Sequence, residues 1–222
     1  MRERLRASRL LRWLRALPVA VPYRILRRIL RLRRDRFLFL SDSHLGFEGN
    51  MRFVRDELLR RMPGAEVVGV FKPSLNAPRP LRDVLRLPWL LATSGTIVVD
   101  DFYPIIYPLP IRRGARLVQI WHAAGAFKQV GHSRAGLPGG PVPGSNIHRN
   151  YTHVPVSSES VRKDYAEAFG IDVARVQALG VPRTDVFFDT DYVERARRQV
   201  RSELGVSEDE RLVLYAPTFR GN

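Results

Sequence analysis

The segment Leu117-Val118-Gln119-Ile120-Trp121, followed by His122-Ala123-Ala124-Gly125-Ala126-Phe127-Lys128-Gln129-Val130-Gly131, decides the fold. Its first five residues are mostly apolar and end at a cluster of small residues, the pattern of a short buried strand running into a loop. The same pattern recurs on both sides. Strands are predicted at Phe37–Leu40, Glu66–Phe71, Thr96–Val99, Thr152–Val156, Val176–Leu179 and Leu212–Tyr215. Between them, 3.6-residue periodicity predicts helices over Met51–Arg61, Leu81–Leu91, Ser158–Phe169 and Val193–Leu204. Strands alternating with helices argue for an α/β chain with a parallel sheet and helices on both faces. In such sheets ligands bind beyond the carboxyl ends of the strands, where His122 stands.

Composition narrows the function classes. The chain has 222 residues, 45% hydrophobic and 27% charged, ordinary values for a folded protein. It has no cysteine, so disulfides and thiolate zinc sites are excluded. No run of 18 apolar residues occurs, and arginines interrupt every candidate signal-peptide core. The net charge of +15 is uneven: residues 1–36 carry thirteen arginines against Glu3 and Asp35, a net +11. Leucines and isoleucines recur among those arginines at helical spacing, with Trp13 between them and Pro18 and Pro22 as expected breaks. This reads as a basic amphipathic arm, residues 1–36, lying on an anionic membrane surface. Binding to nucleic acid is not expected, because the charge sits in the leader and not on one folded face.

The chemistry concentrates after Trp121. His122 has the pKa range of a general base. Gly125 lets backbone amides approach an anion, and Lys128 can meet a phosphate as a point charge. Elsewhere, Ser41-Asp42-Ser43-His44-Leu45-Gly46 follows the first strand. His44 either hydrogen-bonds a substrate or belongs to a polar surface loop, and sequence leaves both open. Asn50 reads as a helix N-cap. His132, Arg134 and His148 lie in a long loop from which they could reach phosphates, whereas His153 reads as structural. Arg183 and Asp185 read as a turn with a local ion pair, or Arg183 as a phosphate ligand. No metal site and no cofactor are expected.

The string from Trp121 to Gly131 resembles the Trp-His-Gly-x-x-x-Lys-x-x-Gly signature of the CDP-glycerol glycerophosphotransferases, the teichoic acid primases and polymerases. Val156-Ser157-Ser158-Glu159 with Tyr165–Gly170, Leu179-Gly180-Val181-Pro182-Arg183-Thr184-Asp185, and Tyr215-Ala216-Pro217-Thr218-Phe219-Arg220 resemble further family motifs in the same order. At one position the chain departs: Ala123 stands where the family has Gly, and this Ala-Ala-Gly variant reads as a subgroup.

The resemblance implies the Rossmann-like N-terminal domain of a two-domain GT-B-type transferase. Residues 37–207 would form this acceptor-side domain, and 208–222 would begin a truncated nucleotide-binding domain. It implies transfer of glycerol phosphate, or a related alditol phosphate, from a CDP-alditol to a lipid-linked glycan acceptor at the cytoplasmic face of the bacterial plasma membrane. His122 would be the catalytic base. Lys128, His44, Gly125, Arg183, Thr218 and Arg220 would contact substrate or phosphate. The chain alone would be inactive for want of the second domain. The alternative is a stand-alone membrane-surface module that binds anionic or lipid-linked acceptors without catalysis.

Overall fold

The computed structural model describes residues 2–74 and 76–216, with side chains from residue 16 onward. Thr218 and Arg220, two of the expected phosphate contacts, and the side chain of Trp13 lie outside the described residues. The chain is α/β, with a parallel sheet and flanking helices, as the alternation predicts. It forms two compact units, Met1–Arg183 and Thr184–Asn222.

In the first unit, α1 (Arg2–Ile29) leads into β1 (Arg33–Leu40), α2 (Gly49–Arg61), β2 (Glu66–Val70), α3 (Leu81–Thr93), β3 (Ser94–Val99) and β4 (Arg116–Gln119). Then come β5 (Val154–Val156), α4 (Arg162–Phe169) and β6 (Val176–Ala178). Four strands pair in parallel in the order β2-β1-β3-β4, and β5 pairs in parallel with β6. A single bridge, Val118 with His153, joins the two pieces, supported by Gln119 N–H donating to His153 O at 3.0 Å. The spatial order is therefore β2-β1-β3-β4-β5-β6. The chain reverses direction across the sheet between β1 and β3, and a crevice opens at such a switch point.

Period-two alternation divides the core between the two faces. Leu38, Leu40, Ile97 and Val99 face one side and join Val19, Tyr23, Leu87, Leu91 and Phe169. Phe39 and Val98 face the other and pack on Met51 and Ile120. α4 ends at Gly170, whose φ of 62° is the left-handed cap that glycine adopts without a Cβ penalty.

Four expectations are corrected. The expected boundary at residues 36/37 falls inside β1. Arg36 is buried, ion-paired to Glu66 at 3.0 Å, bonded to Thr93 Oγ1 at 2.6 Å and stacked over Trp89. The leader is not a free arm either: Ala16, Val19, Ala20 and Tyr23 are buried, and α1 packs on α3. Tyr23 Oη and Arg27 Nη1 both donate to Pro110 O. α1 also runs unbroken through Pro18 and Pro22. At this i, i+4 spacing the donor missing at Pro22 would have served Pro18's own carbonyl, and packing of the helix face offsets the loss. Finally, Leu212–Tyr215, expected as a strand, is not one, and among the described residues no strand pairs with it.

The second unit is built on α5 (Thr190–Leu204). Asp189 caps it by accepting from Tyr192 N–H at 2.9 Å, and Gly205 closes it in the left-handed region. Expected as part of the domain spanning 37–207, this helix instead belongs to the separate unit.

Candidate active site

Three strand ends meet at the switch point. After β1, Ser41 Oγ accepts from the amides of Ser43 and His44, both at 3.1 Å, and folds the loop back over the crevice. After β3 come Asp100 and Asp101, which point different ways. Asp100 is 2% exposed, and neither carboxyl oxygen has a hydrogen-bond partner among the described residues. Burial pushes its carboxyl above the usual range. His44 Nε2 lies 3.2 Å from Asp100 Oδ2, close enough for an ion pair but not aligned as a hydrogen bond. His44 Nδ1 lies 3.2 Å from Glu48 Oε2. Asp101 turns outward: its Oδ2 accepts from Ser43 Oγ at 2.5 Å, and its Oδ1 from Phe102 N–H at 2.6 Å.

The end of β4 supplies His122. Its ring stacks on Trp121 with centroids 4.6 Å apart and planes at 29°. Its Nδ1 lies 3.8 Å from Asp101 Oδ1. About half of the side chain is exposed, so a ligand can reach it. The backbone below is held by Asn50, whose Nδ2 donates to Ile120 O and Trp121 O, both at 2.9 Å. Asn50 Oδ1 accepts from Arg183 N–H at 3.1 Å, and Arg183 Nη2 donates to His122 O at 2.8 Å. Arg183, expected on a phosphate or in a local ion pair, thus fixes the main chain of His122.

Beside the histidine lies a cavity of about 550 Å³. Trp121, His122, Gly125 and Lys128 line one part of it, Asp164 and Glu167 another. Lys128 is exposed and forms no ion pair with a described residue. Tyr165 Oη donates to Ala123 O and Gly125 O, at 3.1 and 3.2 Å, and ties the small-residue loop to α4. One cation and two carboxylates suit a ligand that carries both an anionic group and hydroxyls, since carboxylates accept hydrogen bonds from hydroxyl groups.

His122, Lys128 and Gly125 therefore share a cavity, and His44 joins His122 through the Asp100-Asp101 dipeptide. His148, read as a possible phosphate contact, is buried. Its Nδ1 is 2.8 Å from Tyr151 Oη, and burial pulls its pKa down to about 3, so the ring is neutral and structural. His132 bonds Ile147 O at 2.8 Å and Arg134 bonds Pro138 O at 2.6 Å, and both hold the loop together. Asn50, expected as an N-cap, is a buried strut instead, and Glu48 occupies the cap position. Asp100 and Asp101 escaped the sequence reading. They carry the signal that picked out the loop after β1: polar side chains directly beyond a predicted strand. Among the described residues no group of three or more acids or histidines could hold a metal ion.

A histidine just beyond a parallel strand, beside a lysine and a cavity, places the candidate ligand site of this α/β unit at the carboxyl ends of its strands. The chain belongs to the CDP-glycerol:poly(glycerophosphate) glycerophosphotransferase family, whose description matches residues 23–222. It is 49% identical over 195 residues to the teichoic acid poly(ribitol-phosphate) polymerase of Bacillus spizizenii, covering 88% of this chain and 32% of that protein. It is 44% identical over 198 residues to the ribitol-phosphate polymerase TarK of Staphylococcus aureus, covering 88% of this chain and 39% of that one. The chain thus spans about a third of the length of these relatives. The solved wall teichoic acid polymerase TagF shares the fold at a TM-score of 0.66 and 14% identity, covering 96% of this chain and 57% of that one.

Proposed function

We propose that this chain is the acceptor-side unit of a two-domain, GT-B-type alditol-phosphate transferase of teichoic acid synthesis, and that the alditol is ribitol. The donor would be a CDP-alditol and the acceptor a lipid-linked glycan. The acceptor hydroxyl attacks the donor's β-phosphorus, the new oxygen–phosphorus bond forms, and the bond to CMP breaks. His122 takes the hydroxyl proton, and Lys128 offsets phosphate charge. The observation that carries this reading is His122 exposed on the wall of the cavity that Lys128 also lines. Ribitol is favoured over glycerol by the relatives: the ribitol-phosphate polymerases are 44 to 49% identical, against 23 to 26% for the glycerol-phosphate enzymes.

The unit would act as a peripheral protein on the cytoplasmic leaflet. No described helix is long and apolar enough to cross a membrane. Val21, Ile25 and Ile29 of α1 and Leu81, Leu85 and Trp89 of α3 are nonetheless exposed on two helices that pack together. Arg24, Arg28, Arg31, Arg82 and Arg86 are exposed among them. Apolar ridges bordered by arginines suit an anionic headgroup layer.

The test is CMP release from CDP-ribitol and from CDP-glycerol, with a lipid-linked acceptor, by the protein that contains this chain. His122→Ala should lower the rate about a hundred- to ten-thousand-fold, the usual contribution of general base catalysis. Near-full activity of that variant would refute the assignment. Turnover of CDP-glycerol alone would refute ribitol.

A further inference from the structure

Asp101 links the loops that follow β1 and β4. One carboxylate oxygen accepts from Ser43 Oγ at 2.5 Å, and the other from Phe102 N–H at 2.6 Å. That second oxygen also faces His122 Nδ1 at 3.8 Å. One face of the imidazole is covered by Trp121, and its backbone is fixed through Asn50 and Arg183. The ring therefore keeps Nδ1 beside one anchored carboxylate, at a separation within ion-pair reach and longer than a hydrogen bond, so a small rotation of the ring would close it. A carboxylate beside one ring nitrogen attracts the proton to that nitrogen and leaves the other as a lone-pair acceptor.

We propose that Asp101 is the positioning residue of His122. It holds the proton on Nδ1 so that Nε2 is the proton acceptor, and Ser43 in turn holds Asp101. The arrangement couples the loop after β1 to the histidine: whatever displaces the Ser43 hydroxyl frees Asp101 Oδ2 and loosens the orientation of the ring. Asp101 touches no reacting atom in this scheme and acts only through His122.

The proposal builds on the reading of His122 as the base, but its test needs no turnover. The chain has only five histidines, so each imidazole can be assigned in ¹⁵N-labelled protein by single His→Asn changes. Long-range ¹H–¹⁵N correlation, recorded where the rings are neutral, reports which nitrogen carries the proton. Wild-type His122 should show the Nδ1–H pattern. Asp101→Ala should lose it for the Nε2–H form that a free imidazole favours in water. Asp101→Asn, which preserves size and can still accept from Phe102 N–H, should lose it as well, because its amide can donate to Nδ1. Ser43→Ala should give a mixture. His153, whose Nδ1 lies 2.9 Å from Thr152 Oγ1, should be unchanged in all three and serves as the internal control. An Nε2–H pattern in wild type, or an Nδ1–H pattern surviving both Asp101 changes, would overturn the proposal. Neither result would touch the role of His122 as base, which stands or falls on the His122→Ala rate.

Discussion

Asn50→Ala should be among the most damaging single changes in the first unit. The side chain is 4% exposed and makes three hydrogen bonds that span long stretches of sequence: two to the carbonyls of Ile120 and Trp121, and one from the amide of Arg183. Alanine removes all three and fills none of the space. Ile120 is itself 4% exposed, so its carbonyl is left without this partner in a site that water reaches poorly. A buried polar group left unsatisfied costs about 1–3 kcal/mol. Counting each of the three groups left without Asn50 at the low end gives a loss of about 3 kcal/mol. For a unit of this size that is a fall of about 6–12 °C in Tm. Asn50→Asp should be at least as severe, because it replaces the donating Nδ2 with an oxygen facing two carbonyl oxygens. The assay is urea unfolding followed by circular dichroism and tryptophan fluorescence, with Trp121 as the local reporter. Loss of less than about 1 kcal/mol in both variants would refute the claim that Asn50 bears the end of β4.

Three further outcomes are expected. Gly131→Ala should destabilise far more than Gly139→Ala: both have positive φ, but a Cβ at 131 would collide with the backbone oxygen of Ala168, while one at 139 meets nothing within 4 Å, and thermal melts of the pair check this. Burial holds His148 well below its usual pKa, at about 3, so between pH 6.5 and about 3 the unfolded chain binds a proton that the folded one does not. Its contribution to stability therefore falls as pH falls through that window, by about 1.4 kcal/mol per unit at most, and a urea series in His148→Phe should show a shallower acid slope than wild type. Sedimentation with anionic vesicles should weaken as salt rises and fall about tenfold in the Ile25→Asp, Leu85→Asp double variant, whose altered positions are exposed; equal binding would remove the membrane face.

Local pattern carried the strands because each is a short apolar run whose alternation answers to the two faces of one sheet, as Leu38 and Phe39 do. It placed His122 beyond a strand end, beside the cavity, because a polar residue just after an apolar run is a local signal. It failed where the deciding partner is remote. Asn50 looked like a helix cap, since the cap rule sees three or four neighbours, yet its partners lie 70, 71 and 133 residues away. Pro18 and Pro22 looked like breaks because their cost is local, whereas the packing of α1 on α3 that offsets it is tertiary. Leu212–Tyr215 looked like a strand because apolar pattern cannot say whether a neighbouring strand exists.

The leader is part of the folded unit. A free arm could be deleted without touching the α/β unit, but residues 16–36 cannot. Tyr23 is buried against the core and bonded to Pro110, and Arg36 is buried between Thr93, Glu66 and Trp89. Removing them would expose the faces of α3 and β1 that they cover. Any loss of vesicle binding on deletion would then report unfolding as readily as a lost contact. The charge and the apolar ridge must instead be separated by point changes on the outward face, where Ile25 and Leu85 are exposed and Arg24, Arg28, Arg82 and Arg86 lie in solvent. α1 thus has two faces: Val19, Ala20 and Tyr23 close the core, while Val21, Ile25 and Ile29 are exposed. Because α3 leads directly into β3, and Asp100-Asp101 follow the last residue of β3, the proposed membrane face and the candidate site are joined by one continuous stretch of chain, and point changes on α3 should be checked for activity as well as for vesicle binding.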